Sequence, residues 1–245
     1  MEVAQTIFEE TVGIVAGSNT IYGTLSIPEK AWGAVIFTQG SGGNRRNSRA
    51  LFVAESLHDL GLATLLVDLL TPSEERVDSF TACHRFNIGL LAERLLTATS
   101  WLERSCSGYD FRIGYFGAST GAAAALRAAA ECAAIPAVVS RGGRPDLAGP
   151  ALEHVRAATL LIVGALDRSV VDSNTSAYEQ LRSARQRELI VVPDATHLFE
   201  EKGALQEVAQ VTGQWFVRHL GAAAVSAKRQ EFHTPSERVR RSLPR

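Results

Sequence analysis

Short apolar segments alternate with longer helical patterns along most of this chain, and this alternation restricts the fold more than any other feature. These segments are predominantly apolar, which is typical of strands buried on both faces of a sheet. The predicted buried strands are residues 33–38, 62–68, 113–116, 137–140, 159–164 and 189–192. Strands that alternate with helices predict an α/β fold, with a mostly parallel central sheet and helices on both faces.

The two ends of the chain depart from this alternation. Residues 13–17 and 20–27 have the pattern of two strands joined by a turn, which predicts an N-terminal antiparallel hairpin. A chain of 245 residues is long enough for one α/β domain. We predict that this domain covers residues 1–225 and that the basic residues 226–245 form a solvated, flexible tail. An oligomer contact or an anion-binding arm is the alternative role of the tail.

Two connections are predicted to be loops. Residues 70–81 are polar, and residues 141–150 are rich in glycine and proline. Only 16 residues, 143–158, separate Gly142 from the strand that starts at Thr159. We therefore predict no lid domain and an open site.

Composition and charge argue against several classes of function. A formal net charge of −1 gives no general attraction to nucleic acid or to an anionic membrane. No apolar run reaches the ~18 residues of a membrane span. The three cysteines have no C-x-x-C spacing, which fits a reducing compartment and indicates no metal site. Since the N-terminus also lacks a signal-peptide pattern, we predict a cytoplasmic protein.

One predicted strand-to-helix turn carries a serine between two glycines. Strand 113–116 leads into Gly117-Ala118-Ser119-Thr120-Gly121, and a helix is predicted from Thr120. In a nucleophile elbow, the serine of G-x-S-x-G lies on such a turn with strained backbone angles and exposes its hydroxyl. The alternative is a serine in an ordinary connection, so the choice depends on its partners.

A serine hydroxyl needs a general base, usually a histidine that a carboxylate orients. Among the six histidines, His197 follows strand 189–192 directly, on a loop at the carboxyl edge of the sheet. Ligands bind at this edge in open α/β sheets. His84 also lies in a loop on the correct side but has no obvious orienting acid. We predict His197 as the base.

The orienting acid should follow a strand that lies between the serine and the histidine in chain order. Asp167, after strand 159–164, meets this condition and is our prediction. Asp146, on the loop after the preceding strand, is the alternative, whereas Asp194 is too close to His197 along the chain. A loop or helix-capping aspartate is the non-catalytic interpretation of Asp167.

Backbone N–H groups beside the serine would stabilise negative charge on a substrate oxygen. We predict that this oxyanion hole uses the N–H of Thr120, directly after Ser119, and that of Ser41. Ser41 lies on the glycine-containing loop that follows strand 33–38.

Four residues are predicted to contact the substrate. They are Gln39 and Gly40 on the same loop, Arg49 and Arg141. The two arginines, together with Arg144, are candidates to bind a substrate carboxylate, but structural ion pairs are the favoured interpretation of all three.

Six ordered blocks of sequence resemble the α/β-hydrolase superfamily, and within it the dienelactone-hydrolase-like serine hydrolases. The blocks are residues 40–42, 67–72, 117–121, 139–146, 161–167 and 195–199. The resemblance implies hydrolysis of carboxylic esters or lactones through an acyl-enzyme on Ser119, without a cofactor. Two positions depart from it, because the namesake enzymes have cysteine at the position of Ser119 and the loop commonly has histidine at the position of Gln39.

The sequence therefore predicts a hydrolase of small-molecule esters or lactones, with neither a nucleic-acid nor a membrane partner. An acyl thioesterase would use the same three residues. A non-catalytic binding or regulatory protein on the same fold is the alternative from another class. The sequence leaves open whether the chain forms a homodimer.

Overall fold

One eight-stranded sheet runs through the protein. The structure is a computed structural model that describes residues 6–40 and 44–221. The strands are β1 (Ile7–Ala16), β2 (Asn19–Pro28), β3 (Gly33–Thr38), β4 (Leu62–Asp68), β5 (Arg112–Ala118), β6 (Ala137–Arg141), β7 (Ala158–Gly164) and β8 (Arg187–Val192). They lie side by side in the order β1-β2-β4-β3-β5-β6-β7-β8. The pairs β1–β2 and β2–β4 are antiparallel, and every other pair is parallel. The predicted sheet and N-terminal hairpin are confirmed.

Helices cover both faces of this sheet. They are α1 (Ser48–Asp59), α2 (Pro72–Thr81), α3 (Ile88–Ser105), α4 (Thr120–Glu131), α5 (Arg168–Gln180) and α6 (Ala204–Leu220). On one face, α1 and α6 bury side chains such as Leu57 and Phe216 in a common core. On the other face, α3, α4 and α5 do the same with Leu95, Leu126 and Ala177.

The central strand β3 shows why continuous apolar runs form this sheet. All six of its residues are buried. Its side chains alternate between the two cores: Val35 and Phe37 pack with α1 and α6, whereas Ala34 and Ile36 pack with the opposite core. A strand with helices on both faces has no solvent side, so polar alternation is absent from its sequence.

The predicted loop at residues 70–81 is wrong, because helix α2 occupies residues 72–81. Thr71 caps this helix: its hydroxyl accepts a hydrogen bond from the N–H of Glu74 at 3.2 Å. The Glu74 carboxylate in turn accepts from the N–H of Thr71 at 2.8 Å. This reciprocal pair is a capping box, and Pro72 suits the first helical position. The sequence Thr71-Pro72-Ser73-Glu74 carried this signal.

The predicted loop at residues 141–150 is also partly wrong. A 3₁₀ segment covers Pro145–His154 and is interrupted at Gly149, where φ is 55° and ψ is −137°. Its hydrogen bonds span three residues, as in the 3.3 Å bond from the Val155 N–H to the Leu152 carbonyl. The buried side chain of Leu152 fixes the segment against the core that contains α3 and α4.

The ends of the chain differ from prediction in one respect. β1 begins at Ile7 rather than at residue 13, because it pairs with β2 along its whole length. The predicted tail, residues 226–245, lies outside the described residues. Within the described ranges, no helix combines the length and apolar character needed to cross a bilayer.

We expect Gly117→Ala to lower the free energy of unfolding by about 3 kcal/mol. The added methyl group would clash with backbone atoms, which cannot move aside as a flexible side chain could. An added Cβ would lie 2.4 Å from Ala122 Cα. Gly89→Ala in α3 is the matched control, because the nearest atom to its Cβ would be at 3.6 Å. Urea unfolding of both variants measures the difference, and equal effects of the two substitutions would contradict the packing argument.

Candidate active site

Ser119 lies on the turn between β5 and α4 with a backbone conformation that is rare for a residue other than glycine. Its φ is 52° and its ψ is −124°, and such angles persist only where surrounding contacts hold them. The Ser119 carbonyl accepts hydrogen bonds from the N–H groups of Ala122 at 3.1 Å and Arg144 at 3.0 Å. The Ser119 N–H donates to the Arg141 carbonyl at 3.4 Å. Backbone contacts from two sides therefore hold the serine in this conformation.

The end of β3 packs closely against the serine turn. An added Cβ on Gly40 would lie 2.5 Å from Ser119 Cβ, and one on Gly121 would lie 2.7 Å from the Thr38 carbonyl oxygen. The Thr38 hydroxyl donates a 2.9 Å hydrogen bond to the Gly121 carbonyl. Only residues without side chains at positions 40 and 121 allow this approach, which brings the loop after β3 against Ser119.

His197 and Asp167 form a hydrogen-bonded pair at the same edge of the sheet. The distance from His197 Nδ1 to Asp167 Oδ2 is 2.6 Å. Asp167 stands at the N-terminus of α5, but its side chain makes no capping hydrogen bond to that helix, so its carboxylate is available to the imidazole. A carboxylate at Nδ1 favours the tautomer with the proton on that nitrogen, which leaves Nε2 free to accept a proton.

The histidine lies over the backbone that also holds the serine. His197 Cε1 is 3.5 Å from the position that a Cβ on Gly142 would occupy. Gly142 follows Arg141, whose carbonyl accepts the Ser119 N–H. Ser119 and His197 are both described residues, and the structure shows no hydrogen bond between the Ser119 hydroxyl and the His197 imidazole. Such bonds are often long in unliganded enzymes and shorten when substrate binds.

The alternative acid, Asp146, has a different partner. Arg144 donates from Nε to Asp146 Oδ1 at 2.9 Å and from Nη2 to Oδ2 at 2.7 Å. This two-point ion pair occupies the carboxylate, whereas Asp167 contacts the histidine directly. The geometry therefore favours Asp167 over Asp146 as the partner of His197.

Of the two predicted oxyanion donors, Thr120 lies within the described residues and Ser41 does not. Thr120 begins α4, and its N–H has no acceptor within residues 6–40 and 44–221. Ser41 lies outside the described residues, so its role stays a prediction. The dipole of α4 adds positive potential at the Thr120 N–H.

Three of the predicted substrate contacts carry buried nitrogen atoms without a hydrogen-bond partner. These atoms are Gln39 Nε2, Arg49 Nε and Arg141 Nη1. Arg49 also forms an exposed ion pair with Glu200 at 3.3 Å, as the favoured ion-pair interpretation expects. Arg141 has no ion pair among the described residues.

A cavity of about 370 Å³ adjoins the serine turn at Gln39, Gly40 and Thr120. Its other walls come from the end of β4, from α2 and from the start of α3. Charged side chains of α2, among them Glu75 and Asp78, line this wall. Burial, with the nearby charge of Asp68, raises the pKa of Glu75. Sequence reasoning missed the wall because it predicted α2 to be a loop.

A buried ion pair holds α2 against α3 and so shapes the cavity. Arg94 is 4% exposed and donates to Glu74 Oε2 at 2.6 Å, to Glu74 Oε1 at 2.7 Å and to the Leu69 carbonyl at 2.7 Å. The hydrogen bonds from Arg94 are the main reason that the pKa of Glu74 falls to about 2. This pairing was not predicted from the sequence.

The sheet order and the serine turn between β5 and α4 define an α/β hydrolase. The model of the dienelactone hydrolase family matches residues 21–220, so the chain belongs to that family. This membership confirms the predicted resemblance.

Known proteins of high similarity carry two different names. A dienelactone hydrolase from Anabaena variabilis ATCC 29413 is 51% identical, with a TM-score of 0.83 over 87% of this chain and 99% of that one. A protein of Mycobacterium tuberculosis H37Rv named "Putative phosphoribosyl transferase" is 50% identical over 213 residues. That match covers 86% of this chain and 47% of the relative. The chain therefore spans about half the length of the curated relatives it matches.

A more distant structure shows the same fold. A dienelactone hydrolase-like promiscuous phosphotriesterase from metagenomic libraries is 17% identical, with a TM-score of 0.72 over 88% of this chain and 99% of that one. At this identity the likeness concerns the fold alone.

We expect Glu74→Gln to lower the free energy of unfolding at pH 7 by about 2–4 kcal/mol, because Arg94 loses its buried counterion. Folding lowers the pKa of Glu74 from its ordinary value of 4.5 to about 2. The stabilisation from this carboxylate is therefore complete above pH 4.5 and is lost as the pH falls toward about 2. Denaturant unfolding of both proteins at pH 7, 4 and 2.5 measures this, and a difference that stays constant with pH would contradict it.

Proposed function

We propose that the protein hydrolyses carboxylic esters or lactones of small substrates through an acyl-enzyme on Ser119. The observation that carries the proposal is the 2.6 Å hydrogen bond between His197 Nδ1 and Asp167 Oδ2. It lies at the same sheet edge as a serine with φ of 52°. A strained serine turn together with an oriented imidazole is the arrangement that activates a hydroxyl for acyl transfer.

In the first step, Ser119 Oγ attacks the carbonyl carbon of the ester while its proton passes to His197 Nε2. The carbonyl oxygen becomes an oxyanion in the tetrahedral intermediate. The bond to the leaving oxygen then breaks, and that oxygen takes the proton from His197. Asp167 stabilises the imidazolium that exists between these two transfers.

In the second step, a water molecule gives a proton to His197 and attacks the acyl carbon. The bond between Ser119 Oγ and that carbon breaks, and the proton returns to Ser119 Oγ. The acid product leaves, and the enzyme regains its starting state. In a lactone, the leaving oxygen and the acid belong to one molecule, so the product is a hydroxy acid.

The surroundings of Ser119 support this chemistry. The N–H of Thr120 at the start of α4, which has no acceptor among the described residues, would donate to the oxyanion. The adjoining cavity of about 370 Å³ falls at the small end of ligand pockets, which run to roughly 1,000 Å³. Small substrates are therefore proposed.

A thioesterase would use the same three residues, and parallel assays with 4-nitrophenyl acetate and an acetyl thioester would separate the two. The transferase name belongs to longer proteins, and this chain covers 47% of their length. The name therefore describes a protein of which about half has no counterpart in this match. The serine, histidine and aspartate are all present, which favours a catalytic protein over a purely binding one.

The proposed setting is the cytoplasm. Cys83, Cys106 and Cys132 are free thiols in the structure, which agrees with a reducing compartment. Whether the chain forms a homodimer stays open, as it does in the sequence.

A fluorophosphonate probe should form a covalent adduct on Ser119, located by peptide mass spectrometry. The probe traps a serine only when a base activates it, so Ser119→Ala should carry no adduct. Ser173, on the surface helix α5, is the internal control and should stay unlabelled. A wild-type protein without an adduct at Ser119 would end the serine-hydrolase proposal.

Asp167→Asn should reduce kcat for 4-nitrophenyl acetate by about 10⁴-fold, because the amide favours the wrong tautomer of His197. Asp146→Asn is the matched control and should keep kcat within about threefold of wild type, since Asp146 pairs with Arg144. Steady-state kinetics decide between them. The reverse pattern would move the acid to Asp146.

A further inference from the structure

Two large apolar side chains lie exposed directly beside the hydrogen-bonded pair of Asp167 and His197. Leu166 directly precedes Asp167 and is 60% exposed. Leu198 directly follows His197 and is 37% exposed. The two loops are joined, because the Leu166 N–H donates to the Ala195 carbonyl at 3.0 Å. Each leucine is therefore held next to one member of the pair, at the carboxyl edge of the sheet.

The core beneath these loops does not use the two leucines. Ala195 and Phe199 from the same loop are buried in the core that contains α1 and α6. Leu166 and Leu198 belong neither to that core nor to the opposite one. A single exposed leucine on a surface needs no explanation. Two of them next to the proposed base and its acid lie where a substrate must approach.

The proposed reaction restricts where the leaving group of the ester can lie. His197 gives its proton to the leaving oxygen, so this oxygen must come within hydrogen-bond reach of His197 Nε2. The alkyl or aryl group on that oxygen then extends over the loops that carry His197 and Asp167. Leu166 and Leu198 expose apolar surface on these two loops.

The acyl group of the same substrate would meet a different surface. The oxyanion would face the Thr120 N–H, and the cavity of about 370 Å³ continues from Gly40 and Thr120 toward α2. Among the described residues, those that line this cavity include none from the loops of Asp167 and His197. The cavity therefore suits the acyl group and lies apart from the leucines.

Two acidic side chains near Leu198 have partners within the protein. Glu200 forms an ion pair with Arg49 at 3.3 Å. Glu201 accepts a hydrogen bond from the Thr196 hydroxyl at 2.6 Å. The leucines are thus left as the contact surface for a neutral, apolar group.

We propose that Leu166 and Leu198 bind the leaving group of the ester and make the protein selective for esters of apolar alcohols. The inference rests on the proposed function, because it assigns the two halves of that substrate to two different surfaces. Burial of a methylene group against an apolar side chain favours binding. On this open surface we expect a gain of about twofold in kcat/KM for each methylene group of the alcohol.

The first experiment varies the alcohol and keeps the acyl group constant. Methyl, butyl and hexyl acetate are hydrolysed in a pH-stat, and kcat/KM is measured for each ester. In wild type kcat/KM should rise at least about tenfold from methyl to hexyl acetate. In the double variant Leu166→Ser/Leu198→Ser the rise should fall below about threefold, because a hydroxymethyl group offers little apolar surface.

The second experiment varies the acyl group and keeps the leaving group constant. The ratios of kcat/KM among 4-nitrophenyl acetate, butyrate and hexanoate should be the same in wild type and in the double serine variant. Leu60→Ser is the matched control, since Leu60 is 43% exposed but ends α1 at the opposite edge of the sheet. It should leave both series as they are in wild type.

A conservative variant separates contact with the substrate from support of the loops. Leu166→Met/Leu198→Met keeps apolar side chains of similar volume and should keep the wild-type preference for hexyl acetate. Both leucines are exposed, so the melting temperatures of the serine and methionine variants should stay close to that of wild type. Loss of the alcohol preference in the methionine variant would contradict binding by apolar contact.

Three results would overturn the proposal. The first is a wild-type protein that does not prefer hexyl over methyl acetate or cleaves neither. The second is a rise that is as steep in the double serine variant as in wild type. The third is a change in the 4-nitrophenyl series, which would place the acyl group on the leucines.

Failure of the proposed function would be recognised separately. A wild-type protein that cleaves no ester of either series, with Ser119 unlabelled by the fluorophosphonate, would remove the function and the leaving-group assignment with it. Cleavage of both series with an alcohol preference independent of Leu166 and Leu198 would leave the function and remove the assignment alone.

Discussion

The left-handed backbone of Ser119 is the constraint on which the rest of the site depends. A residue with a side chain adopts φ of 52° only where its neighbours enforce it. Here the neighbours are backbone groups of Arg141 and Arg144 on one side and of α4 on the other. The end of β3 closes over the turn because residues 40 and 121 are glycines. Three adjacent strands and one helix thus cooperate to present a single hydroxyl.

The Asp167–His197 pair shows how the sheet assembles chemistry from distant parts of the chain. β7 and β8 are parallel neighbours, so the loops that follow them leave the sheet at the same edge. Asp167 follows β7 and His197 follows β8, and their side chains meet at 2.6 Å. Because the carboxylate does not cap α5, its negative charge acts on the imidazole. A local role for Asp167 in helix capping is therefore excluded by its geometry.

Much of this architecture could be predicted from the sequence, and the errors have physical causes. Buried strands such as β3 and β4 are recognisable because both faces need apolar side chains. The turn at Ser119 carries its own glycine signal. Helix α2 has little apolar periodicity, so a search for apolar patterns does not find it. A capping box and the Arg94–Glu74 ion pair stabilise this helix instead. Arg141 has no ion pair among the described residues. This depends on which charges the fold places around it, which no local pattern reveals.

The position of β8 at one edge of the sheet has a consequence for how the protein responds to heat. Among the described strands β8 pairs with β7 alone, and every β8 residue except Val192 is at least partly exposed. In contrast, β5 is paired on both sides and almost fully buried. Local opening costs least where backbone hydrogen bonds and buried contacts are few. The strand that leads to His197, the proposed base, should therefore fray at a lower temperature than the strand that leads to Ser119, the proposed nucleophile. Loss of activity on warming should precede loss of the fold, and it should reverse on cooling.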